Sequence, residues 1–268
     1  MSIQTLYTAA TGMTSMQTKL DVIANNLANI NTTAFKKDRA NFEDLFYRIE
    51  SLPGAQDANG IFTPTGIEVG LGSRVQSTQT DYQQGDFQNT NRELDVLIEG
   101  EGFLQVIDPN SQQILYTRAG NLNINADGNL VTGSAQTGRL IEPAITIPQD
   151  ATKIQIGSDG QVSVLQPGSP NLNQVGQLQL ATFINPDGLL KLGENLYAQT
   201  DASNTPIIGN PGQDGLGVIR QNYLEASNVE PVRELIDLIT TQRAFELNSQ
   251  TVQAGDQMLQ LIGNLRRF

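Results

Sequence analysis

The chain has 268 residues and a formal net charge of −12, and it contains no His, Cys or Trp. These absences exclude disulfides, thiolate chemistry, histidine-dependent triads and histidine-ligated zinc sites. The charge is uneven: residues 1–40 carry +2 and residues 229–268 carry −1, which leaves −13 for the part between them. An acidic centre argues against nucleic acid or an anionic membrane as partner, and no apolar run is long enough for a membrane span.

A long helix is the first predicted element. Apolar side chains recur at alternating spacings of three and four residues, and this stripe consists of Ile3, Leu6, Ala10, Met13, Leu20, Ala24 and Leu27, widened by Ile23 and Ile30. The pattern is typical of a helix that packs against a second helix, although an amphipathic helix in a globular domain gives the same spacing. We predict that residues 1–33 form this helix.

The next segment, residues 34–75, is predicted to be an extended or hairpin insertion. It begins with apolar and aromatic side chains at Phe42, Leu45, Phe46 and Tyr47. Pro53-Gly54 and Asn59-Gly60 are turn signals, and short strand-like runs follow them up to Val75.

Residues 76–222 are predicted to form a central all-β domain, either a barrel or a sandwich. Short runs such as FLQVI, TKIQIG and QLQLATF recur between clusters of Gly, Pro, Asn and Asp. Asp127-Gly128, Asp159-Gly160 and Asp187-Gly188 have the composition of hairpin turns.

A second long helix is predicted within residues 223–268. Pro231 suits a first-turn position, and Glu230 and Glu234 lie near the positive end of the helix dipole. Its apolar positions are Val232, Leu235, Leu238 or Ile239, Phe245, Val252, Met258 or Leu259, Ile262 and Leu265. We therefore predict an α+β fold in which the two terminal helices pair as a coiled coil. The expected assembly residues are Leu6, Met13, Leu20, Ile23, Leu27, Ile30, Leu235, Leu238, Phe245, Val252, Leu259 and Ile262.

Asparagine is unusually dense near the end of the first helix, at positions 25, 26, 29 and 31. Short amides compete with the helical backbone and favour caps and turns. Two interpretations stay open: a fraying helix end followed by a polar loop, or amides that bond to groups outside the helix.

This segment also carries a resemblance. It is similar to the N-terminal signature of the bacterial flagellar rod and hook proteins, a family of axial subunits, through Ala24, Asn25, Asn26, Leu27, Ala28, Asn29, Asn31, Thr32, Thr33, Phe35 and Lys36. The family's usual glycine before the aromatic residue is Ala34 here. A second match resembles the family's C-terminal helix, through Leu224, Glu225, Ser227, Asn228, Val229, Gln242, Arg243, Phe245, Glu246, Asn248, Asp256, Gln257, Met258 and Leu259. LPGAQ at 52–56 and PTGIEVGLGSRV at 64–75 resemble the distal rod subfamily.

The resemblance implies a structural subunit that polymerises through its terminal helices into a hollow drive shaft carrying torque from motor to hook. It implies as partners further copies of the chain, proximal rod proteins, the hook protein, the surrounding P and L ring proteins and the flagellar type III export apparatus. The implied location is the basal body, in a rod spanning the periplasm. The N-terminus lacks the features of a cleavable secretory signal, which agrees with that export route; on those features alone the protein is predicted to be cytosolic.

Two short motifs suggest other chemistries. Asn123, Asn125 and Asp127 imitate the start of a calcium loop, but Ser134 stands where such a loop needs a bidentate Glu, so we expect a turn. Asp95, Glu99 and Glu101 could suggest a glycosidase pair, but the short gap between the flanking runs predicts a solvated hairpin tip. The alternative function is a cell-wall carbohydrate-binding or hydrolytic β-domain on a helical stalk; its aromatic cleft is hard to build without Trp. We expect no enzymatic activity, no cofactor and no metal.

Overall fold

The computed structural model describes residues 3–54, 62, 64–133, 138–168 and 171–265. Helix α1 spans Ile3–Ala28, helix α2 spans Pro231–Leu265, and the described residues between them are mainly strands and turns. The predicted α+β class is confirmed. The predicted turn at Asn59-Gly60, Ser134, and the side chains of Ile3, Ile262 and Leu265 lie outside what is described.

The strands follow one another closely along the chain. The first four are β1 Asp38–Asp44, β2 Tyr47–Ser51, β3 Ile67–Gly70 and β4 Ser73–Thr80. The next seven are β5 Phe87–Asn89, β6 Val96–Glu99, β7 Phe103–Ile107, β8 Ile114–Thr117, β9 Leu122–Ile124, β10 Leu130–Thr132 and β11 Arg139–Glu142. The others are β12 Lys153–Ile156, β13 Gln161–Leu165, β14 Asn173–Gln177, β15 Leu180–Thr182, β16 Leu190–Gly193, β17 Leu196–Ala198, β18 Ile207–Gly209, β19 Val218–Gln221 and β20 Tyr223–Glu225, with a 3₁₀ turn at Pro186–Gly188.

Two compact units divide the chain. The helical unit consists of Met1–Ala28, Asp38–Asp81 and Glu230–Phe268, and the β unit consists of Asn29–Lys37 and Tyr82–Val229. These limits differ from the predicted ones, because residues 29–33 leave the helix and join the β unit, while β4 extends to Thr80 in the helical unit. Residues 223–229, predicted to accompany the second helix, contain β20 and belong to the β unit.

Helix α1 ends at Ala28 because the following backbone turns. Thr32 N donates to Asn29 O at 3.1 Å and Phe35 N donates to Thr32 O at 3.2 Å, and Ala34 adopts a φ of 56°. This left-handed conformation costs a residue with a Cβ about 1 kcal/mol. Ile30 was predicted on the helical stripe, but it lies beyond the helix and in the β unit.

Within the helical unit, α1 and α2 run antiparallel. A methyl group added to Gly255 would lie 2.5 Å from Leu6 Cδ2, and one added to Gly12 would lie 3.2 Å from the Asn248 amide nitrogen. Near the other end of α1, Asn26 Nδ2 lies 3.5 Å from Glu234 Oε2. The two helices therefore approach closely where glycine provides the room.

The inner side of α2 is less apolar than the sequence suggested. Its inward positions alternate between a polar or small series and an apolar series. The first is Glu234, Thr241, Asn248 and Gly255, and the second is Leu238, Phe245 and Val252. Leu235 and Leu259, predicted with the seam, are 45% and 38% exposed. On α1, Ile23 is buried, whereas Leu6, Met13, Leu20 and Leu27 are half-buried.

Strands β1 to β4 form antiparallel pairs within the helical unit. Strand β1 pairs with β4, with an irregularity between Asn41 and Phe42, and β2 pairs with β3. Ser15 Oγ of α1 donates to Ser73 O of β4 at 3.3 Å. A methyl group at Gly72 would lie 2.1 Å from Thr11 Oγ1, so this strand connection passes directly over α1.

The β unit is built around a nine-stranded sheet with the path β16-β17-β8-β7-β11-β10-β9, to which β15 and β18 are attached beside β7. Its main core contains buried aliphatic side chains, with Leu104, Leu122, Ile141, Val162 and Leu180 each at 0% exposure. A second cluster is aromatic: Phe103, Tyr116, Phe183 and Tyr197 pack together with Ala181 and Leu189. Burying each large apolar side chain stabilises the folded state by about 1.5–3 kcal/mol, so these clusters are the main source of the unit's stability.

Two of the three predicted Asp-Gly hairpins are confirmed. Asp127-Gly128 joins the antiparallel strands β9 and β10, and Asp159-Gly160 joins β12 and β13. Both glycines have positive φ, at 84° and 80°, as such turns require. Asp187-Gly188 is different: it forms the 3₁₀ turn between β15 and β16, and these strands pair with other partners.

The structure also shows the conformation of residues 125–129, which imitate a calcium loop, and of the three carboxylates that suggest a glycosidase pair. Asn125 Oδ1 accepts hydrogen bonds from the backbone of Asp127 and Asn129, which forms a polar turn. The predicted hairpin tip at Glu99 and Glu101 is wrong, because β6 pairs with β19 whereas β7 pairs with β8, β11 and β15. Of these carboxylates, Glu99 pairs with Arg220 near the surface and Asp95 is buried.

Candidate functional site

Helix α2 presents an apolar stripe to solvent. Val232, Leu235, Ile236 and Ile239 are exposed by 70%, 45%, 56% and 55%. Their spacing of three, four and seven residues from the first places them on one helix face, and we call them the outer stripe. Exposed Leu247, Met258 and Leu261 lie further along the helix. The sequence pattern identified α2 as apolar, but it did not distinguish this face from the side that packs on α1.

The outward side of α1 is made of small and polar residues. Ala10, Thr14, Gln17, Asp21, Ala24 and Ala28 are exposed, together with Tyr7 at 68%. Beyond Tyr7, which is large, side chains of this size leave the helix surface shallow, so another helix can approach it closely. The outer stripe of α2 and this side of α1 differ in chemistry.

The β2–β3 ribbon also exposes apolar side chains. Phe46 is 88% exposed, and Tyr47, Ile49 and Ile67 are each more than half exposed. A two-stranded ribbon has little stability in water by itself. Its exposed aromatic and aliphatic groups are therefore candidates for contact with another molecule.

Asn26, one of the clustered amides, bonds outside its own helix. Its Nδ2 donates to Asp38 O at 2.8 Å, and its Oδ1 accepts from Asp38 N at 2.9 Å. Both backbone groups of one residue are thus satisfied by one buried side chain, which fixes the start of β1 against α1. Of the two interpretations left open by the sequence, this arrangement supports the second for Asn26.

Lys36, the last residue of the N-terminal signature, is fully buried in the β unit. Its Nζ donates to Glu225 Oε1 and to Gln83 O, each at 2.6 Å. Arg118 Nε donates to the other carboxylate oxygen at 2.9 Å, and Gly85 N donates to Oε1 at 3.0 Å. The Lys36, Glu225 and Arg118 side chains are 0%, 1% and 5% exposed.

The pKa of the Glu225 carboxyl depends on its burial and on the charged groups around it. Burial raises the pKa of the Glu225 carboxyl and is the largest single influence, but Arg118, Lys36 and the Gly85 N–H together outweigh it. The pKa of Glu225 is therefore lowered, and the group stays ionised in the folded protein. Arg118 is held from its other side by the carbonyl oxygens of Gly102 and Ile98 at 2.9 and 3.2 Å.

Asn228 continues the same network. Its Oδ1 accepts from Lys37 N at 2.8 Å, its Nδ2 donates to Gln83 O at 3.2 Å, and its backbone N donates to Phe35 O at 3.3 Å. Ala34 N donates to Glu225 O at 2.8 Å. We call the Lys36, Arg118, Glu225 and Asn228 side chains, with the backbone of Gln83 and Gly85, the clasp.

The other signature residues are dispersed. Ala24, Asn25 and Asn31 are exposed; Asn29, Thr32, Thr33 and Phe35 are half-buried. Thr33 O accepts from Asn195 Nδ2 at 3.1 Å. In α2, Gln242, Arg243, Glu246, Asp256, Gln257 and Met258 are exposed, and Asn248 faces Gly12. The signature residues thus fall into three places in the structure: the contact between α1 and α2, the exposed surface, and the clasp.

Sequence reasoning missed Arg118, Gln83 and Gly85 as members of the clasp. Arg118 carried one signal, since a charged residue within the strand-like run ILYTRAG is unusual for a buried strand and requires a partner. Gly85 carried none: a methyl group there would lie 2.0 Å from Ala226 O, and only the folded chain shows this approach.

Among the described residues, no group of three or more acidic side chains is placed to hold a metal ion. No helix there combines the length and the apolar character needed to cross a membrane.

Exposed apolar helix and ribbon surfaces indicate a protein that associates with other protein surfaces. Family models agree with this class: the flagella basal body rod protein model matches residues 6–36, the flagellar hook protein FlgE/F/G D1 domain matches residues 97–164, and the flagellar basal body rod FlgEFG protein C-terminal model matches residues 220–265.

Curated relatives extend the similarity to nearly the whole chain. The flagellar basal-body rod protein FlgG of Caulobacter vibrioides is 44% identical over 98% of this chain and 100% of its own length. The FlgG proteins of Agrobacterium fabrum and Buchnera aphidicola subsp. Baizongia pistaciae are 44% and 41% identical, covering 97% and 98% of this chain and 98% and 100% of their own. The chain belongs to the flagellar basal-body rod protein family, and it is a structural protein, not an enzyme.

Proposed function

We propose that this chain is the distal rod subunit, and that it polymerises through its terminal helices into a hollow shaft that transmits torque from motor to hook. The observation that carries this proposal is the outer stripe of α2. Four large apolar side chains on one helix face stay exposed although the opposite side of the helix is packed. Covering such side chains stabilises an assembly by up to about 1.5–3 kcal/mol each.

The outer stripe of α2 and the outward side of α1 suggest how two copies of the chain contact each other. The apolar outer stripe and the shallow outward side of α1 lie on different elements and are not self-complementary, so contact between them joins unlike surfaces of two copies. Unlike surfaces give open helical assemblies when the rotation between copies does not close a ring. In this proposal, α1 and α2 act as a coiled-coil pair, and Leu235 and Leu259 contact neighbouring copies.

The ribbon is the second proposed contact. Residues 34–75, which include β2 and β3, act as an extended hairpin insertion whose exposed Phe46, Tyr47 and Ile67 pack on neighbouring subunits. The similarity of 52–56 and 64–75 to the distal rod subfamily supports this assignment. Covering these side chains also stabilises a ribbon that has few contacts of its own.

The proposed location is the basal body, in the part of the rod that spans the periplasm. The proposed partners are further copies, the proximal rod proteins, the hook protein, the surrounding P and L ring proteins and, during secretion, the flagellar export apparatus. Export without a cleavable signal belongs to the same proposal.

The test is an Ile236→Glu substitution in a motile strain that carries this chain as its only copy. A charge on the outer stripe is expected to abolish rod completion and swimming while the purified chain keeps its far-ultraviolet circular dichroism and urea midpoint. Leu172→Glu is the matched control, because Leu172 is an exposed leucine of the β unit at 47% exposure. Normal rods with Ile236→Glu, or equal loss with both variants, would contradict the proposal.

A further inference from the structure

The chain passes between its two units at four peptide bonds. These bonds are Ala28–Asn29, Lys37–Asp38, Asp81–Tyr82 and Val229–Glu230. Any force that travels along the polypeptide between the units enters the β unit through the segments that begin at these bonds. The bonding of these segments inside the β unit therefore decides how that force is distributed.

Three of the four segments are tied together within two residues of the bond. Asn228, one residue from Val229, accepts from the backbone of Lys37 and donates to the backbone of Gln83. Gln83 O also accepts from Lys36 Nζ. One amide side chain and one ammonium group thus connect segments that are 47 and 145 positions apart in the sequence.

The same ties continue into the interior. Lys36 is bonded to Glu225, Glu225 is bonded to Arg118, and Arg118 donates to the carbonyl oxygens of the β6–β7 connection. Glu225 itself lies in β20, which pairs with β5. The segments are therefore attached to the sheets of the β unit, and to one another, through one bonded network.

The chemistry of the network suits a mechanical role better than a purely stabilising one. Buried ion pairs contribute little net stability compared with apolar side chains of the same volume. Hydrogen bonds, however, are directional and fail steeply once stretched or bent, whereas apolar contact is non-directional and permits sliding. Burial also keeps water from replacing the Lys36–Glu225 and Arg118–Glu225 bonds as they open, whereas Asn228 is half-buried and adds directional bonds nearer the surface.

We propose that the clasp is the mechanical junction of the subunit: it joins three entering segments so that torque loads the β unit as one body and does not peel the segments away singly. This inference rests on the proposed torque-transmitting function. Asn228 is the residue on which it depends most, because its side chain links two segments and its backbone belongs to the third.

Single-molecule pulling of the full chain tests the junction. Because the sequence has no Cys, handles can be attached at Arg39→Cys, just beyond one of the four bonds, and at Ile184→Cys, an exposed β-unit position. Asn228→Ala is expected to lower the force that opens the β unit to about half, since two of the linking hydrogen bonds are lost. Asn173→Ala is the control, because Asn173 is an exposed asparagine of the same unit whose side chain, among the described residues, bonds locally to Gln166.

The urea midpoint of each variant shows whether it is folded. If Asn228→Ala does not fold, Asn228→Asp replaces it, because this variant keeps the oxygen that accepts from Lys37 and loses the donor to Gln83. An opening force equal to that of the Asn173→Ala control overturns the proposal. A lowered force supports it.

Motility separates this inference from the function on which it rests. Cells carrying Asn228→Ala are expected to build flagella in normal number but to stop swimming at a lower viscosity than cells carrying Asn173→Ala. Equal swimming at every viscosity, despite a lowered opening force, overturns the torque role of the clasp. If the unsubstituted chain fails to restore flagella to a strain that lacks it, the proposed function fails, whatever the pulling experiment shows.

Discussion

Replacing Glu225 by Gln tests the energetic account of the clasp. The substitution keeps the shape of the side chain and removes its charge. In the folded protein the carboxylate accepts from Lys36 at 2.6 Å, Arg118 at 2.9 Å and Gly85 at 3.0 Å, and both cations are buried. A glutamine has one acceptor oxygen in place of two. Its amide nitrogen is a hydrogen-bond donor and would face another donor, either Lys36 Nζ or Arg118 Nε. Both buried cations, Lys36 and Arg118, then lose the negative charge that pairs with them.

The expected loss follows from burial. Removing one member of a buried ion cluster costs about 3–5 kcal/mol, and two charge-assisted hydrogen bonds at about 1.5–3 kcal/mol each give a similar figure. Against a typical domain stability of about 5–15 kcal/mol, this is a large fraction. With a urea slope of about 2–3 kcal/mol/M, the unfolding midpoint of the β unit falls by about 1–2.5 M.

The assay is urea unfolding at pH 7 followed by far-ultraviolet circular dichroism, because the chain has no Trp. Glu99→Gln is the matched control. Glu99 also pairs with an arginine, Arg220, but the two side chains are 35% and 52% exposed, and exposed pairs contribute only about 0–1 kcal/mol. If Glu225→Gln destabilises no more than Glu99→Gln, the clasp does not hold its carboxylate as the structure indicates.

Two further predictions concern titration and backbone strain. The lowered pKa of Glu225 means that its contribution is complete above the unfolded value of about 4.3 and is lost as pH falls through the folded pKa, because the unfolded state then binds more protons. Unfolding free energies measured from pH 7 to 2 should therefore fall more steeply for the native chain than for Glu225→Gln, and parallel curves would refute this. Ala34→Gly should raise stability by about 0.5–1 kcal/mol in the same assay, since the φ of 56° is unstrained for glycine; a loss of stability would show that the Ala34 methyl group contributes more by packing than it costs in strain.

The predicted elements at the two ends of the chain agree with the structure, apart from their limits. A helical stripe is a local pattern, and Pro231 marks the start of α2 as predicted. The end of α1 was placed five residues too late, because residues 29–33 continue the composition of the helix end, although Thr32 N bonds back to Asn29 O and Thr33 O accepts from Asn195. The resemblance to the family identified Asn29, Asn31, Thr32 and Thr33 as signature residues, but it did not show that they belong to the β unit.

For the strands, too, local features were predicted correctly and long-range pairing was not. Asp127-Gly128 and Asp159-Gly160 predicted their hairpins because a short turn joins strands that are neighbours in sequence. The tip at Glu99 and Glu101 was predicted by the same reasoning and was wrong, because β6 and β7 each find a different partner. Strand pairing over long distances is decided by the packing of the whole sheet.

The sequence by itself determined two helical ends, an acidic strand-rich centre and a chemistry without His or Cys, because periodicity, turn composition and residue content are local properties. Only the tertiary structure decided which side of α2 stays exposed, since α2 is apolar on more than one face and Gly12 and Gly255 lie where the two helices meet. It also decided that Lys36 meets Glu225, 189 positions away. Such a meeting depends on the folding of everything between the two residues, and no short stretch of sequence specifies it.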